Sequence, residues 1–114
     1  MLMRGSLMEI HHDLNTILMA AFQEAKMRKH EYLTPEHILY ASIHNDAGRT
    51  IIRESGGDPD ELARKILEFF NTHITTVEHE EPVQSVGFKS VLERAIWHTT
   101  SAQKEELDVG DVLV

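Results

Sequence analysis

Residues 14–40, "LNTILMAAFQEAKMRKHEYLTPEHILY", return in altered form at residues 88–114, "FKSVLERAIWHTTSAQKEELDVGDVLV". The two stretches overlay at an offset of 74 residues without a gap. Leu14, Ile17, Leu18, Ala21 and Phe22 fall on Phe88, Val91, Leu92, Ala95 and Ile96, in each case one apolar stripe at helical spacing. Further on, Glu31 meets Glu105, Leu33 meets Leu107, Thr34 meets Asp108, and Ile38 and Leu39 meet Val112 and Leu113. Identities are few; helix length, corner and cap position are what the copies share. Each copy is a helical unit with one apolar face, so two of them stack about a common core. The expectation is a single all-α domain, a pseudo-twofold helical bundle. Residues 9–73 form the first repeat, 74–87 an inter-repeat loop and 88–114 an incomplete second repeat. Residues 1–8 read as an extension or disordered start. The second copy lacks equivalents of most of the second helix and of the third and fourth. The sequence is therefore expected to be a fragment of a longer protein, or to have its uncovered face closed by another subunit.

The first copy supplies its own punctuation. A helix from Ile10 ends near His30, with Lys26, Arg28 and Lys29 placed favourably at the negative end of its dipole. Thr34 then serves as N-cap with Pro35 at the first helical position and Glu36 in the first turn. This second helix turns Ile38, Leu39 and Ile43 inward and ends by Asp46, Ala47 and Gly48. A short third helix over "RTIIRES" stops at Gly56 and Gly57. Asp58, Pro59 and Glu61 open a fourth with capping-box spacing, burying Leu62, Ile66, Phe69 and Phe70. Residues 74–87 break the period and offer no second strand. A fifth helix follows from about Phe88 to Ala102, with Val91, Leu92, Ala95, Ile96 and Thr99 on its apolar side, and Asp108 caps a last one.

Composition removes several function classes. A net charge of −8 over 114 residues opposes phosphate backbones, so no nucleic acid is expected as partner. Without cysteine there are no disulfides, thiolate zinc sites or cysteine nucleophiles. No run reaches membrane-spanning length, and the start has no signal-peptide pattern, which suits a cytoplasmic protein. None of the six glycines precedes a lysine, so the chain has no P-loop, and there is no G-x-S-x-G elbow. The expectation is a chain without enzymatic chemistry or cofactor.

Eight histidines raise the question of metal. His30 and His37, with Glu31 and Glu36, could converge at the first corner as nitrogen and oxygen ligands for zinc. They remain weak candidates, because the H-E-x-x-H spacing is absent: Thr34 stands four residues after His30, and Val83 four after His79. His11, His12, His44, His73 and His98 read as surface or helix-end residues. Trp97 lies about 100° around its helix from Ile96. It either packs beneath the loop from Thr75 to Gln84 or anchors a peptide or adaptor. The acidic run Glu78, Glu80 and Glu81 reads as a solvated loop.

The order of "AFQEAKMRKHEYLTPEHIL", an acidic loop, and "FKSVLERAIWHTTSAQKEELDVGDVLV" resembles the double-repeat N-terminal domain of Clp ATPases, most of all the ClpA type. The resemblance covers about residues 9 to 114, and "HEYLTPEHIL" and "FKSVLERAIWH" carry it most specifically. It implies an all-α double Clp-N domain seated flexibly on an AAA+ unfoldase ring that feeds the ClpP protease. It also implies docking of a ClpS-type adaptor and contact with protein substrates. By the same resemblance Glu31, Glu36 and Ser85 face the adaptor, with serine standing where the family often has threonine. The residues themselves are compatible with this. Glu31 follows a helix end and Glu36 lies within a turn of a helix start, so both are expected at the surface as an acidic patch for a partner's lysine or arginine. The plainer alternative is two ordinary surface acids, with Glu36 complementing the helix dipole. Exposed ion pairs contribute only ~0.2–1 kcal/mol each, so affinity needs apolar neighbours such as Tyr32 or Leu33. A second functional expectation is a stand-alone accessory or regulatory Clp-N protein of the same protease system.

Overall fold

The computed structural model describes residues 9–78, 81–101, 106–107 and 109–113. The start at residues 1–8 and the Asp108 cap lie outside them. In chain order the elements are β1 (Glu9–Ile10), α1 (His12–Met27), β2 (Tyr32–Leu33), α2 (Pro35–Ile43), α3 (Asp46–Glu54) and α4 (Pro59–His73). After them come β3 (Val83–Gln84), α5 (Val86–Ser101), β4 (Glu106–Leu107) and α6 (Val109–Leu113).

Strand pairing shows the repeat most directly. β1 pairs in parallel with β4, Glu9 opposite Glu106 and Ile10 opposite Leu107. β2 pairs in parallel with β3, Tyr32 opposite Val83 and Leu33 opposite Gln84. The same 74-residue offset carries Glu9 to Val83 and Tyr32 to Glu106, so it converts one ladder into the other. The flanking bonds obey it too: the His11 amide donates to the Leu107 carbonyl at 2.7 Å, and the Ser85 amide to the Leu33 carbonyl at 2.9 Å. Each copy thus lends a strand to its partner, the signature of a twofold exchange. The helical period alone predicts an unpaired loop over residues 74–87. Instead β3 lies there and α5 starts at Val86, because strands of two residues have no period to read.

The same relation governs packing. α1 packs on α2 as α5 packs on α6, and α2 also touches α5. Leu14, Ile17, Ala21, Ala25, Leu33 and Ile38 share one buried cluster with Phe88, Ala95, Leu107 and Val109. Leu18 and Leu92 both pack against it. A second cluster belongs to the first copy alone: Ile43, Ile52, Ile66 and Phe70, from α2, α3 and α4. The apolar stripe expected on α5 is narrower than its spacing suggests, since Ile96 is exposed.

Local chemistry sets the corners. Asn45 caps α3, accepting from the amides of Ala47 and Gly48, so α3 starts at Asp46 and the chain turns directly out of α2. A Cβ on Gly48 would stand 2.3 Å from the Ser42 carbonyl oxygen, so only glycine allows that close approach. Asp58 caps α4 through the amides of Asp60 and Glu61. The Glu61 side chain does not return to the cap as the box spacing suggests; it pairs with Arg64. His11, read from sequence as a surface histidine, caps α1 by accepting from the Asp13 amide.

α1 ends in a Schellman motif. The His30 amide donates to the Ala25 carbonyl and the Lys29 amide to the Lys26 carbonyl, with Lys29 at φ 60°. α3 ends the same way at Gly56, φ 92°, where the residue type suits the conformation. A left-handed lysine costs about 1 kcal/mol or more. We therefore expect Lys29→Gly to raise the free energy of unfolding by about 1 kcal/mol in urea titrations. The loss of its exposed pair with Glu78 offsets little of that.

Candidate docking corner

The corner between α1 and α2 is built from both copies. β2 runs out of the Schellman turn, and β3 lies against it. Val83 donates its amide to the Glu31 carbonyl at 3.0 Å, and Glu31 donates its own to Thr75 at 2.8 Å. The backbone of residues 30–33 is therefore fixed from 75–77 and 83–85 at once. Glu31, Tyr32 and Glu36 come from one side of this join and Ser85 from the other. Four of the residues singled out from sequence are so brought together.

Ser85 caps α5: its Oγ accepts from the Phe88 amide at 3.0 Å. That bond uses a lone pair and leaves the hydroxyl proton free to donate outward. Glu31 and Glu36 are half-buried. Every cation at the end of α1 is already engaged: Lys26 with Glu81, Arg28 with Glu24 and Lys29 with Glu78. The acidic loop is therefore not simply solvated, since two of its acids hold α1. Among the described residues Glu31 and Glu36 have no such cation. Two such carboxylates thus belong to the same short segment as Tyr32, which is 46% exposed.

Beneath the corner lies a buried histidine pair. The Thr34 amide donates to His37 Nδ1 at 2.9 Å, closing the α2 N-terminus as a reciprocal cap. His37 Nε2 therefore carries the proton and donates to His30 Nδ1 at 2.8 Å. Both rings lie against Phe70, His37 stacked with centroids 4.6 Å apart and His30 edge-on at 5.1 Å. Burial, then the neighbouring His30, push the His37 pKa down to about 4. Burial and the Arg28 charge lower that of His30. The pair converges, as its place in the sequence suggests, but on itself rather than on an ion. Two imidazoles on one zinc, each ~2.0–2.1 Å from it, would hold their nitrogens further apart than 2.8 Å. Among the described residues no three His, Asp or Glu side chains are arranged to hold a metal.

Trp97 stands apart. It is 69% exposed, so it does not pack beneath the 75–84 loop, and it lies three helical turns along α5 from the corner. Sequence reasoning missed two other residues: Val83, 57% exposed, and Val86, 81% exposed, both at the corner itself. The pairing of Val83 with Tyr32 puts them there, and no period in the sequence marks it.

Residues 9–114 match the family described as the Clp repeat (R) N-terminal domain. A ClpA homolog protein from Fuscovulum blasticum is 30% identical over 105 residues, covering 89% of this chain. The chain spans 13% of that relative's length. The N-terminal domain of Hsp104 from Candida albicans superimposes with a TM-score of 0.80 over 92% of this chain and 71% of its own, at 18% identity. The ClpV N-domain, solved in complex with a VipB peptide, does so with 0.78 over 92% and 65%, also at 18%. At those identities the two structures speak for the fold, and they share it with a chain whose ladders and core repeat at one fixed offset. The chain belongs to the Clp repeat N-terminal domain family.

Proposed function

We propose that this chain is the adaptor- and substrate-docking domain of a ClpA-like regulatory subunit of an ATP-dependent protease. It binds a ClpS-type adaptor at the corner of Glu31, Glu36 and Ser85, with Tyr32 as apolar neighbour. It carries no chemistry or cofactor of its own and works in the cytoplasm, reaching ClpP through the ATPase ring of the parent protein. The observation that carries this reading is the convergence of those four residues on a corner whose two acids have no cation among the described residues. The ClpA homologue supports the choice of parent. The VipB complex supports peptide or protein partners for a domain of this fold. No described helix is long and apolar enough to cross a membrane, which agrees with a partner met in water.

On this reading the corner residues divide the work. Glu31 and Glu36 receive a partner's lysine or arginine, and the Ser85 hydroxyl donates one hydrogen bond while its oxygen holds the α5 cap. Trp97 is a further contact for a second part of a bound protein. Reversing both acids, Glu31→Lys with Glu36→Lys, is expected to weaken a ClpS-type adaptor by tenfold or more in titration calorimetry, about 1.4 kcal/mol. Neither carboxylate has an ion-pair partner among the described residues, but Glu36 lies in the first turn of α2, so the reversal is expected to cost about 1 kcal/mol of stability through the helix dipole. Equal affinity in variant and wild type would take the two acids out of the interface.

A further inference from the structure

The approximate twofold makes two corners with one backbone, and their decoration differs. The exposed apolar residues of the first corner are Tyr32, Val83 and Val86. Tyr32 and Val83 are register partners in the β2–β3 ladder, so their side chains rise on one face, and Val86 opens the helix that follows. At the second corner the same three positions are occupied by Glu106, Glu9 and His12. The fold therefore builds this ladder and helix start without any apolar side chain there. Single exposed apolar residues are ordinary, but three of them at one corner, where the other copy carries Glu106, Glu9 and His12, need another cause.

We propose that Tyr32, Val83 and Val86 form the apolar centre of a docking surface that occurs once per chain and takes a protein segment with apolar side chains flanked by lysine or arginine. This rests on the corner reading above and adds which residues discriminate partners and why the second corner is not a site. Charge complementarity commits the occupant. Glu31 directly precedes Tyr32 and Glu36 lies in the first turn of α2, neither with a cation among the described residues, and the chain as a whole carries −8. The acids steer and orient a cationic partner. Desolvation of the tyrosine and valines holds it, in the pattern of an aromatic-centred hot spot with a polar rim.

The repeat supplies its own control variant, Tyr32→Glu, Val83→Glu and Val86→His, which installs the residue types of the second corner in the first. The fold already accepts those types at the equivalent positions. The variant also carries two more negative charges, so a loss of cationic ligand reports on apolar contact and not on charge. The probe is an end-capped peptide of alternating lysine and leucine, titrated into the isotope-labelled chain and followed by amide chemical shifts. Shifts should concentrate at Tyr32, Val83 and Val86, with Glu9, His12 and Glu106 unmoved, and the triple variant should lose at least tenfold in affinity. A ClpS-type adaptor should lose at least tenfold as well. Equal shifts at both corners, or none at the first, overturn the proposal. Should the triple variant fail to fold, Val86→His alone, at the most exposed of the three positions, is expected to lose threefold or more, and an unchanged affinity overturns it. The two readings separate cleanly. A wild-type chain that binds the peptide at this corner but ignores the adaptor removes the ClpS assignment alone. An adaptor that binds the triple variant as well as the wild type removes the triad alone.

Discussion

Truncating Leu107 to alanine is expected to lower the free energy of unfolding by about 3 kcal/mol, and truncating Leu33 to cost a similar amount. The two leucines are counterparts at the 74-residue offset, and each sits just before the second helix of its copy. Both are buried in the same cluster, which Leu14 and Ile17 enter from one copy and Phe88 and Ala95 from the other. Each removal deletes the transfer free energy of the side chain and leaves a cavity that strand pairing on one edge keeps from collapsing. Because both cavities open into one core, the double variant should cost less or more than the sum, by about 0.5 kcal/mol or beyond. Urea unfolding followed by far-ultraviolet circular dichroism is the measurement, with one transition expected in every variant. Trp97 fluorescence is the wrong probe, since that side chain is already in water. A cost below about 1 kcal/mol at Leu107, beside a full cost at Leu33, would mean that the second copy is not part of the cooperative core.

Much of this fold was legible because helices announce themselves twice, by period and by caps. The stripe of Leu14, Ile17 and Ala21, the Thr34–Pro35 start and the Asp58–Pro59 start all lie where spacing and cap chemistry put them. Asn45 was the exception, a cap so close behind α2 that the third helix reads from Arg49 rather than from Asp46. The strands were invisible for another reason: each is fixed by a partner far along the chain, not by its own two residues. The offset that revealed the repeat relates the two ladders once they are seen, but only geometry shows that the copies exchange strands. At the site, Glu31, Glu36 and Ser85 came from a family resemblance and Tyr32 from the need for an apolar neighbour. Val83 and Val86 lay in a stretch without period. His30 and His37 were read among acids as a polar corner, whereas Phe70, from a helix that starts more than twenty residues later, makes them core.

Those histidines should make the domain acid-sensitive in a defined window. His37 has its pKa lowered from 6.5 to about 4 by burial, then by the adjoining His30. Between those values the unfolded chain binds a proton at this residue that the folded chain refuses, so stability falls as pH falls. Above pH 6.5 both forms are neutral and the effect vanishes; below about 4 it is complete. The shift corresponds to about 3 kcal/mol across the window. Arg28 adds to the penalty on both rings, while Glu24 opposes it at His30. Thr34 opposes part of the shift: its contact with His37 raises the value, and its hydroxyl oxygen, 2.9 Å from Nδ1, can accept from the charged ring. The informative variant is His37→Gln, because glutamine at this position of the cap can accept from the Thr34 amide in the usual box, keeping the α2 start while removing the titrating ring. From pH 7 to pH 4.5 the wild type should lose about 2 kcal/mol more than the variant in urea unfolding. The carboxylates common to both chains cancel in that comparison. Ring nitrogen shifts provide the direct check, with His37 protonated at Nε2 alone until the pH nears 4. Titration of that ring near 6.5, or equal acid loss in both chains, would show that the relay from Thr34 through His37 to His30 does not hold the corner closed.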